Sequence, residues 1–405
     1  MRIIILTQYY PPETGAPQNR LHALAKAAKS AGHEVEVITA MPHYPVMKVH
    51  ENYRRKWGFS EEVDGIQVHR SWIYATRSKS LIPRLLSYFS FVFSSMFVGA
   101  RRLSNADVLI VESPPLFLAY SAFRLARKKK AKLVANISDL WPESAVALGL
   151  VTNSTFIKMA TSLENKLYQK SSLISCQTQG ITQHIQSRFP KKQTFWFPNG
   201  ADTDQFDPNT KSKLWRERLE LNPEAQIFSY AGIHGHAQGL QVVVEAANLL
   251  KAETNVHFVL VGSGPEKDEL LEQATGLSNV HFWGNVPREE IKLLLADSYA
   301  TVVPLKKSPL FEGAIPSKIF ESLAMEVPVI LGVEGEARKI FIDQGQSGLF
   351  FEPENAEALA ERVLDLSGDE TKHRTLSENA GLFVRQNYDR TKVNMNFLRE
   401  LDALD

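Results

Sequence analysis

Residues 227–251, IFSYAGIHGHAQGLQVVVEAANLLK, pass from an unbroken apolar run through a loop holding Gly232, Gly235 and Gly239 into a stretch with helical spacing. Residues 2–32, RIIILTQYYPPETGAPQNRLHALAKAAKSAG, make the same passage at the start of the chain, with Gly15 in the loop. A strand covered on both faces reads as a continuous apolar run, and strand followed by helix is the repeating unit of a parallel sheet. The glycine turn brings backbone N–H groups and the positive end of the next helix toward one point, which suits an anion. Any α/β protein has one such unit. Two of them, each opening one half of the chain, predict two nucleotide-type α/β domains.

Further apolar runs of strand length extend the pattern. In the first half they begin at Glu34, Ile66, Asp107, Ala131 and Ser172; in the second, at Val256, Val280, Ala300, Pro328 and Gly348. Helical stretches of ordinary length lie between them. The boundary is expected within residues 195–209, FWFPNGADTDQFDPN, where Pro, Asn, Gly and Asp cluster. That divides 405 residues into domains of 1–200 and 201–385, each long enough to bury a core.

The composition, 44% hydrophobic and 22% charged, is that of a globular protein. A single cysteine, Cys176, excludes an intrachain disulfide and suits a reducing compartment. The N-terminal run reads as a first strand rather than a signal peptide, so a cytoplasmic protein is expected. The net charge of +1 conceals an asymmetry: residues 1–200 carry 26 Lys+Arg against 12 Asp+Glu, and residues 201–405 carry 20 against 33. A basic N-terminal half suits an anionic partner, either a phosphate-bearing acceptor or a membrane surface; drift between the two halves is the plainer account. No nucleic-acid partner is expected.

Residues 81–103, LIPRLLSYFSFVFSSMFVGARRL, are dense in Leu and Phe and flanked by Arg84, Arg101 and Arg102. The uncharged part is short of a bilayer span. It suits either a helix in an anionic membrane interface, with Phe89, Phe91 and Phe93 inserted, or a helix buried against the sheet.

The densest chemical signal is PLFEGAIPSKIFESLAMEVPVIL, residues 309–331. Pro316 suits a first helical turn, with the helix running to about Met325. The N–H groups of Ser317 and Lys318 then face outward at a positive helix end, and the Lys318 ammonium adds a full charge for a diphosphate. Glu321, on the same face, is placed to accept both hydroxyls of a ribose. A surface ion pair between Lys318 and Glu321 is the alternative.

This segment resembles the donor-site motif of family-4 retaining glycosyltransferases of the GT-B fold, with Glu321 in the place of the second of two glutamates. The resemblance extends over nearly the whole chain. FPNGADTDQF is similar to the family's interdomain segment. SYAGIHGHAQGL is similar to its G-x-x-x-x-K-G loop, VLVGSGPEKDEL to its V-G-x-G-P turn at Gly262, and VHFWGNVPREEI to its base-binding F-x-G-x-V loop at Val286. The resemblance implies two Rossmann-like domains facing across a cleft, with a last helix in 386–405 crossing back to the first domain. Two positions depart from the pattern. The slot of the first glutamate holds Gly313, with Glu312 one place off, and the lysine of the K-G pair is Gln238. Lys318, Lys306, Lys307, His234 and His236 are the candidates to supply the missing cation. The A-Q-G-L and P-S-K-x-F-E motifs resemble a bacterial fucosamine-transferase subgroup that extends polyprenyl-diphosphate-linked sugars for surface polysaccharide.

In the first half, NISDLWPE at 136–143 offers Asp139 to a sugar hydroxyl, with Glu143 four residues on; a helix N-cap is the alternative for Asp139. MPHYP at 41–45 offers His43 and Tyr44 to an acceptor, or is simply a rigid turn. Asp202 and Asp204 belong to the linker, and no His/Cys cluster has metal-ligand spacing. The family is metal-independent, so neither metal nor cofactor is expected, the UDP-sugar being a substrate. The resulting expectation is a retaining transfer of an N-acetylated amino sugar, such as N-acetylfucosamine, from a UDP-sugar to a polyprenyl-diphosphate-linked saccharide. Catalysis would fall to Lys318, Asp139 and Glu312, at the inner face of the cytoplasmic membrane. A UDP-sugar 2-epimerase of the same architecture and a non-catalytic scaffold are the rival readings.

Overall fold

The computed structural model describes residues 1–13, 15–44, 46–78, 81–147, 149 and 151–404, with Leu81 described by its backbone alone. Its contacts divide the chain into two units, Met1–Asn199 with Thr391–Asp405, and Gly200–Arg390.

Unit 1 holds β1 (Arg2–Leu6), α1 (Ala16–Ser30), β2 (Glu34–Ala40), β3 (Gly58–Val63), β4 (Ile66–Ser71), α2 (Leu81–Arg102), β5 (Val108–Ser113), α3 (Leu118–Lys129), β6 (Lys132–Ile137), α4 (Glu143–Ala147), α5 (Ser154–Lys170), β7 (Leu173–Cys176), α6 (Gln179–Arg188) and β8 (Thr194–Trp196). These strands form one sheet in the order β3-β4-β2-β1-β5-β6-β7-β8, parallel throughout except for the β3–β4 pair. The apolar runs became strands because both faces are covered: Ile4, Ile5, Leu109, Ile110 and Val134 are fully buried. Each such side chain contributes roughly 1.5–3 kcal/mol of burial free energy. The edge strand β3, GFSEEV, alternates half-buried with exposed residues and has no continuous apolar run, which is why the sequence pattern did not show it.

Unit 2 holds α7 (Leu214–Arg218), β9 (Gln226–Ala231), α8 (Gln241–Leu249), β10 (Val256–Val261), α9 (Lys267–Gln273), β11 (Val280–Trp283), α10 (Arg288–Asp297), β12 (Ala300–Pro304), α11 (Lys318–Ala324), β13 (Val329–Gly332), β14 (Gly348–Phe350), α12 (Ala356–Ser367) and α13 (Glu370–Asn387). Its sheet runs β11-β10-β9-β12-β13-β14, all parallel. A last helix, α14 (Arg390–Asp402), returns the chain to unit 1. There Phe397 is fully buried and stacks on Phe197 with ring centroids 4.3 Å apart.

In each sheet the strand order reverses direction beside the opening strand, between β1 and β5 and between β9 and β12. At such a reversal the two neighbouring loops part on opposite faces and leave a crevice at the carboxyl ends of the strands. The glycine turns read from the sequence lie at those two places.

Candidate functional site

In unit 2 a cavity of about 190 Å3 opens at this reversal. Its wall is formed by the carboxyl end of β9 (Tyr230, Ala231) with Gly232 after it, by the first half of β12 (Thr301, Val302), by α10, and by Lys318 and Glu321 of α11. The helix carrying Lys318 starts at that residue, two positions later than Pro316 suggested, because Ser317 sits in a turn that Pro316 closes by accepting from the Ile319 N–H at 3.2 Å.

The Lys318 ammonium lies 3.5 Å above the centre of the Tyr230 ring. Burial pulls its pKa down to about 7, against a smaller opposing effect from Glu321. Glu321 shows the converse: burial raises its carboxyl, opposed by Arg288, Arg390 and Lys318. Arg288 donates to Glu321 Oε1 at 2.8 Å, which leaves Oε2 for a further donor. Lys318 and Glu321 are thus two half-desolvated charges on one cavity wall, and the partner in hydrogen-bond contact with Glu321 is Arg288 rather than Lys318.

The glycine loops bordering this cavity pack backbone against backbone. A β-carbon on Gly262, whose φ is +144°, would meet the Gly232 carbonyl oxygen at 1.8 Å, and one on Gly264 would meet the His234 carbonyl oxygen at 2.2 Å. Only glycine permits that approach. Lys267 ties the same loops by donating to the carbonyls of Gly262 (3.0 Å) and Trp283 (2.7 Å). Ser263 and Asn285 exchange hydrogen bonds across them, and Val286 packs on the cluster around Trp215.

The candidate cations separate. His234 is fully buried, neither ring nitrogen has a hydrogen-bond partner, and burial with the nearby Lys267 and Lys318 lowers its pKa to about 4. It is a neutral imidazole and cannot supply the missing charge. His236 is exposed, bonds Glu266 Oε1 at 2.7 Å, and lies 3.1 Å from Lys306 Nζ. The Lys306 N–H donates to the Ala237 carbonyl, which fixes this lysine beside the short turn His236–Gln238 that holds the Gln238 of the motif. Lys307 points elsewhere, into an exposed pair with Glu352 at 2.6 Å, and drops out. Glu312 is exposed; its carbonyl accepts from the Glu336 N–H at 2.6 Å. A β-carbon on Gly313 would meet nothing within 4 Å, so the slot is open rather than sterically closed.

In unit 1 a cavity of about 370 Å3 lies beyond the ends of β1 and β2, lined by Gln8, Tyr9, His43, Arg77, Arg84 and Tyr88 among others. Its architect is Glu13, which the sequence reading passed over. The buried Glu13 carboxylate accepts from the N–H groups of His43 and Tyr44 at 2.8 Å each and of Tyr10 at 3.2 Å, clamping the loop after β1 to the loop after β2. His43 is buried, bonds the Met41 carbonyl through Nδ1 at 2.9 Å and stacks on Tyr9 at 5.4 Å. Pro45, at the far end of the quoted turn, is outside the described residues. Gly15 precedes α1 in extended conformation, and Gln18 would collide with a side chain there.

Beneath these loops sits a buried network. Arg20 donates to Glu112 (2.8 Å) and Asn199 (2.9 Å), and Asn136 and Ser138 also donate to Glu112. Asp139 accepts from Ser144 Oγ at 2.7 Å, bracing the turn into α4, and loss of water around it raises its carboxyl pKa. Glu143 is not grouped with His43: its contacts are His184 at 3.4 Å and Arg188 at 3.6 Å on α6.

The helix read as either interfacial or buried is both. By length and composition Ile82–Arg102 is apolar enough to cross a membrane, yet it packs on β2, β4 and α3. Phe91 is fully buried, with Val92, Ser94, Ser95 and Val98, so it cannot insert into a bilayer as the sequence suggested. Phe89 is half-buried. Ile82, Leu86, Phe93 and Phe97 are exposed and lie on one stripe. Among the described residues no group of three or more His, Cys, Asp or Glu is placed to hold a metal ion.

Two α/β units, each with a crevice at the strand reversal of a largely parallel sheet, are the plan of the GT-B fold. Comparison with known proteins carries this further. The model of the Glycosyl transferase 4-like domain matches residues 15–200, and that of Glycosyl transferases group 1 matches residues 211–382. WcaI of Escherichia coli (strain K12), a glycosyl transferase named for colanic acid biosynthesis, is 27% identical over 99% of this chain and 100% of its own. Among solved structures, a sucrose-phosphate synthase from Thermosynechococcus elongatus superposes with a TM-score of 0.75, and HepE from Anabaena, solved in complex with UDP-glucose, with 0.72. Each is 17% identical, with full coverage of both chains. The chain belongs to the family-4 glycosyltransferases of the GT-B fold.

Proposed function

We propose that this glycosyltransferase takes its sugar from a UDP-sugar and adds it, with retention, to a polyprenyl-diphosphate-linked saccharide during assembly of a bacterial surface polysaccharide. The observation that carries the donor half is the pairing of Lys318 and Glu321 on one cavity wall at the β9/β12 reversal. A diphosphate placed there meets an ammonium that burial has left short of compensating charge. A ribose meets the free Oε2 of Glu321. HepE, of the same fold, was solved with UDP-glucose, which supports UDP as the nucleotide. As the anomeric carbon–oxygen bond breaks, charge grows on the departing diphosphate, and Lys318 with Lys306 stabilises it more in the transition state than in the ground state. Asp139 and Glu312 are assigned to sugar hydroxyls, and His43 and Tyr44 to the acceptor. The acceptor half is supported by the arginines of the unit 1 cavity, and the polysaccharide setting by the name of WcaI. The transferred sugar is proposed to be N-acetylated, by resemblance to the fucosamine-transferase subgroup. The enzyme would work on the inner face of the cytoplasmic membrane without a metal.

The test is a mass-spectrometric screen of UDP-sugars against polyprenyl-diphosphate-linked acceptors, with and without EDTA. Transfer that survives EDTA is the expected result. Transfer that needs magnesium or manganese overturns the metal-free mechanism. Epimerisation of the donor alone, or tight UDP-sugar binding without transfer to any acceptor, overturns the transferase reading.

A further inference from the structure

The N-terminal half of α2 borders the 370 Å3 cavity through Arg84, Ser87 and Tyr88. Its C-terminal half borders a second and larger hollow, about 850 Å3, through Phe89, Val92, Phe93 and Met96. Arg84, Tyr88, Val92 and Met96 follow one another at intervals of four, so they form one row along the helix, about 18 Å from end to end at 1.5 Å per residue. The row starts at a cation and continues over apolar and aromatic surface.

The opposite wall of the larger hollow is α3. It contributes Tyr120, 44% exposed, and Phe123, over whose ring stand the ammonium groups of Lys166 (5.9 Å) and Lys170 (5.4 Å). Arg124, Arg127, Lys128 and Lys170 complete the rim. Among the described residues no carboxylate lines either hollow. Glu13, behind the smaller one, is held by three backbone N–H groups. Phe93, in the larger hollow, is 56% exposed, which is costly for an aromatic ring unless something covers it.

From this continuity we infer that the row along α2 seats the lipid of the acceptor. The phosphates of a polyprenyl diphosphate lie at Arg77 and Arg84, and the first isoprene units run along Tyr88, Phe89 and Met96 into the hollow against Phe93 and Phe123. The basic rim faces the anionic surface from which the chain emerges. This rests on the acceptor reading above and adds that the protein recognises the chain itself, not only the sugar and phosphates. An amphiphile with a diphosphate at one end and a long apolar tail matches the order of the surface: arginines, then rings, then a cationic rim. A membrane surface alone would be satisfied by the exposed stripe and the rim, without one helix that borders both the acceptor cavity and the hollow.

The probe is farnesyl diphosphate below its aggregation limit, compared by calorimetry with inorganic diphosphate. The parent protein is expected to bind the farnesyl compound at least tenfold more tightly. Phe93→Asp, at an exposed position, should leave melting temperature and UDP affinity unchanged and abolish that preference. Arg84→Ala should weaken both ligands alike. Equal affinity of the parent protein for the two ligands overturns the seat, as does a preference that survives Phe93→Asp. Binding to phosphatidylglycerol vesicles that farnesyl diphosphate does not reduce means the surface is a membrane contact only. UDP affinity is read in every arm. Its absence from the parent protein would refute the donor-site reading independently of the lipid seat.

Discussion

The two units have the same plan, a parallel sheet with a crevice at its strand reversal, but they use their buried charges in opposite ways. In unit 1 the buried carboxylates are already satisfied: Glu13 by three backbone N–H groups, Glu112 by Arg20, Asn136 and Ser138. They shape loops. Burial raises the Glu13 carboxyl as well, but three N–H donors oppose it; in unit 2 Lys318 and Glu321 remain at the cavity wall, and burial moves each toward its neutral form. The first arrangement builds a rigid scaffold for a ligand held at its rim. The second holds charge in a poorly solvated place, where a charged ligand gains most.

The largest effect should come from breaking the scaffold. Glu112→Ala leaves the Arg20 guanidinium buried without its carboxylate, which costs about 3–5 kcal/mol. Denaturant unfolding should show that loss, while UDP affinity of the folded protein stays within twofold. A small stability change would mean that the network is dispensable and the contrast between the units is false.

Next is the donor wall. Glu321→Ala removes a charged acceptor for ribose hydroxyls, each bond worth roughly 1.5–3 kcal/mol, so UDP affinity by calorimetry should fall at least tenfold. Unchanged affinity in a folded variant removes the ribose assignment. Lys318→Met should lower turnover more than it weakens binding of the intact donor.

The lysine also predicts a pH dependence. Its pKa in the free protein is about 7, so at pH 8 the amine is mostly neutral. An arriving diphosphate favours the ammonium, so UDP binding should take up a proton at pH 8 and weaken as pH rises above about 7. Calorimetry in buffers of different ionisation enthalpy measures this, and Lys318→Met should abolish it. Without ligand the sign reverses. The unfolded chain binds the proton more tightly, so the contribution of this group to stability rises with pH between about 7 and 10.5. Absence of proton uptake would show that Lys318 is charged before the ligand arrives.

The smallest effect sharpens the cation assignment. Lys306→Ala should weaken UDP binding severalfold, whereas Lys307→Ala, which removes only an exposed pair with Glu352, should change it less than twofold. Equal effects would erase the distinction between neighbouring residues.

What was legible in the sequence follows from the range of each force. Continuous apolar runs announced the central strands, since burial on both faces leaves no room for polar residues. The glycines at 262 and 264 could be read because close backbone approach excludes every other residue. Glu13 and Arg288 could not. Their roles depend on which loop lies opposite, and an isolated Glu or Arg in a loop looks like solvated surface. His234 was misread for the same reason: it stands in a glycine-rich loop, but the fold places it in the interior beside two lysines. The helix at 81–102 offered two readings because amphipathic aromatic helices satisfy both, and only packing assigns Phe91 inward and Phe93 outward.

The return of the chain has a consequence for the order of manufacture. Ala201 and Asp389 form a parallel bridge, with Ala201 N–H donating to Tyr388 and Arg390 N–H to Ala201, so the chain enters and leaves unit 2 side by side. Unit 2 is therefore an insertion in unit 1, and it is complete once residue 390 has been made. Unit 1 starts first but still lacks α14, so Phe197 has no Phe397 to stack on until the residues after 390 have been made. Domains that are contiguous in sequence can fold in the order of their synthesis. Here the domain begun first waits for residues made after unit 2, and a stop codon at Arg390 would uncover the ring of Phe197 in a domain whose strands were all made long before.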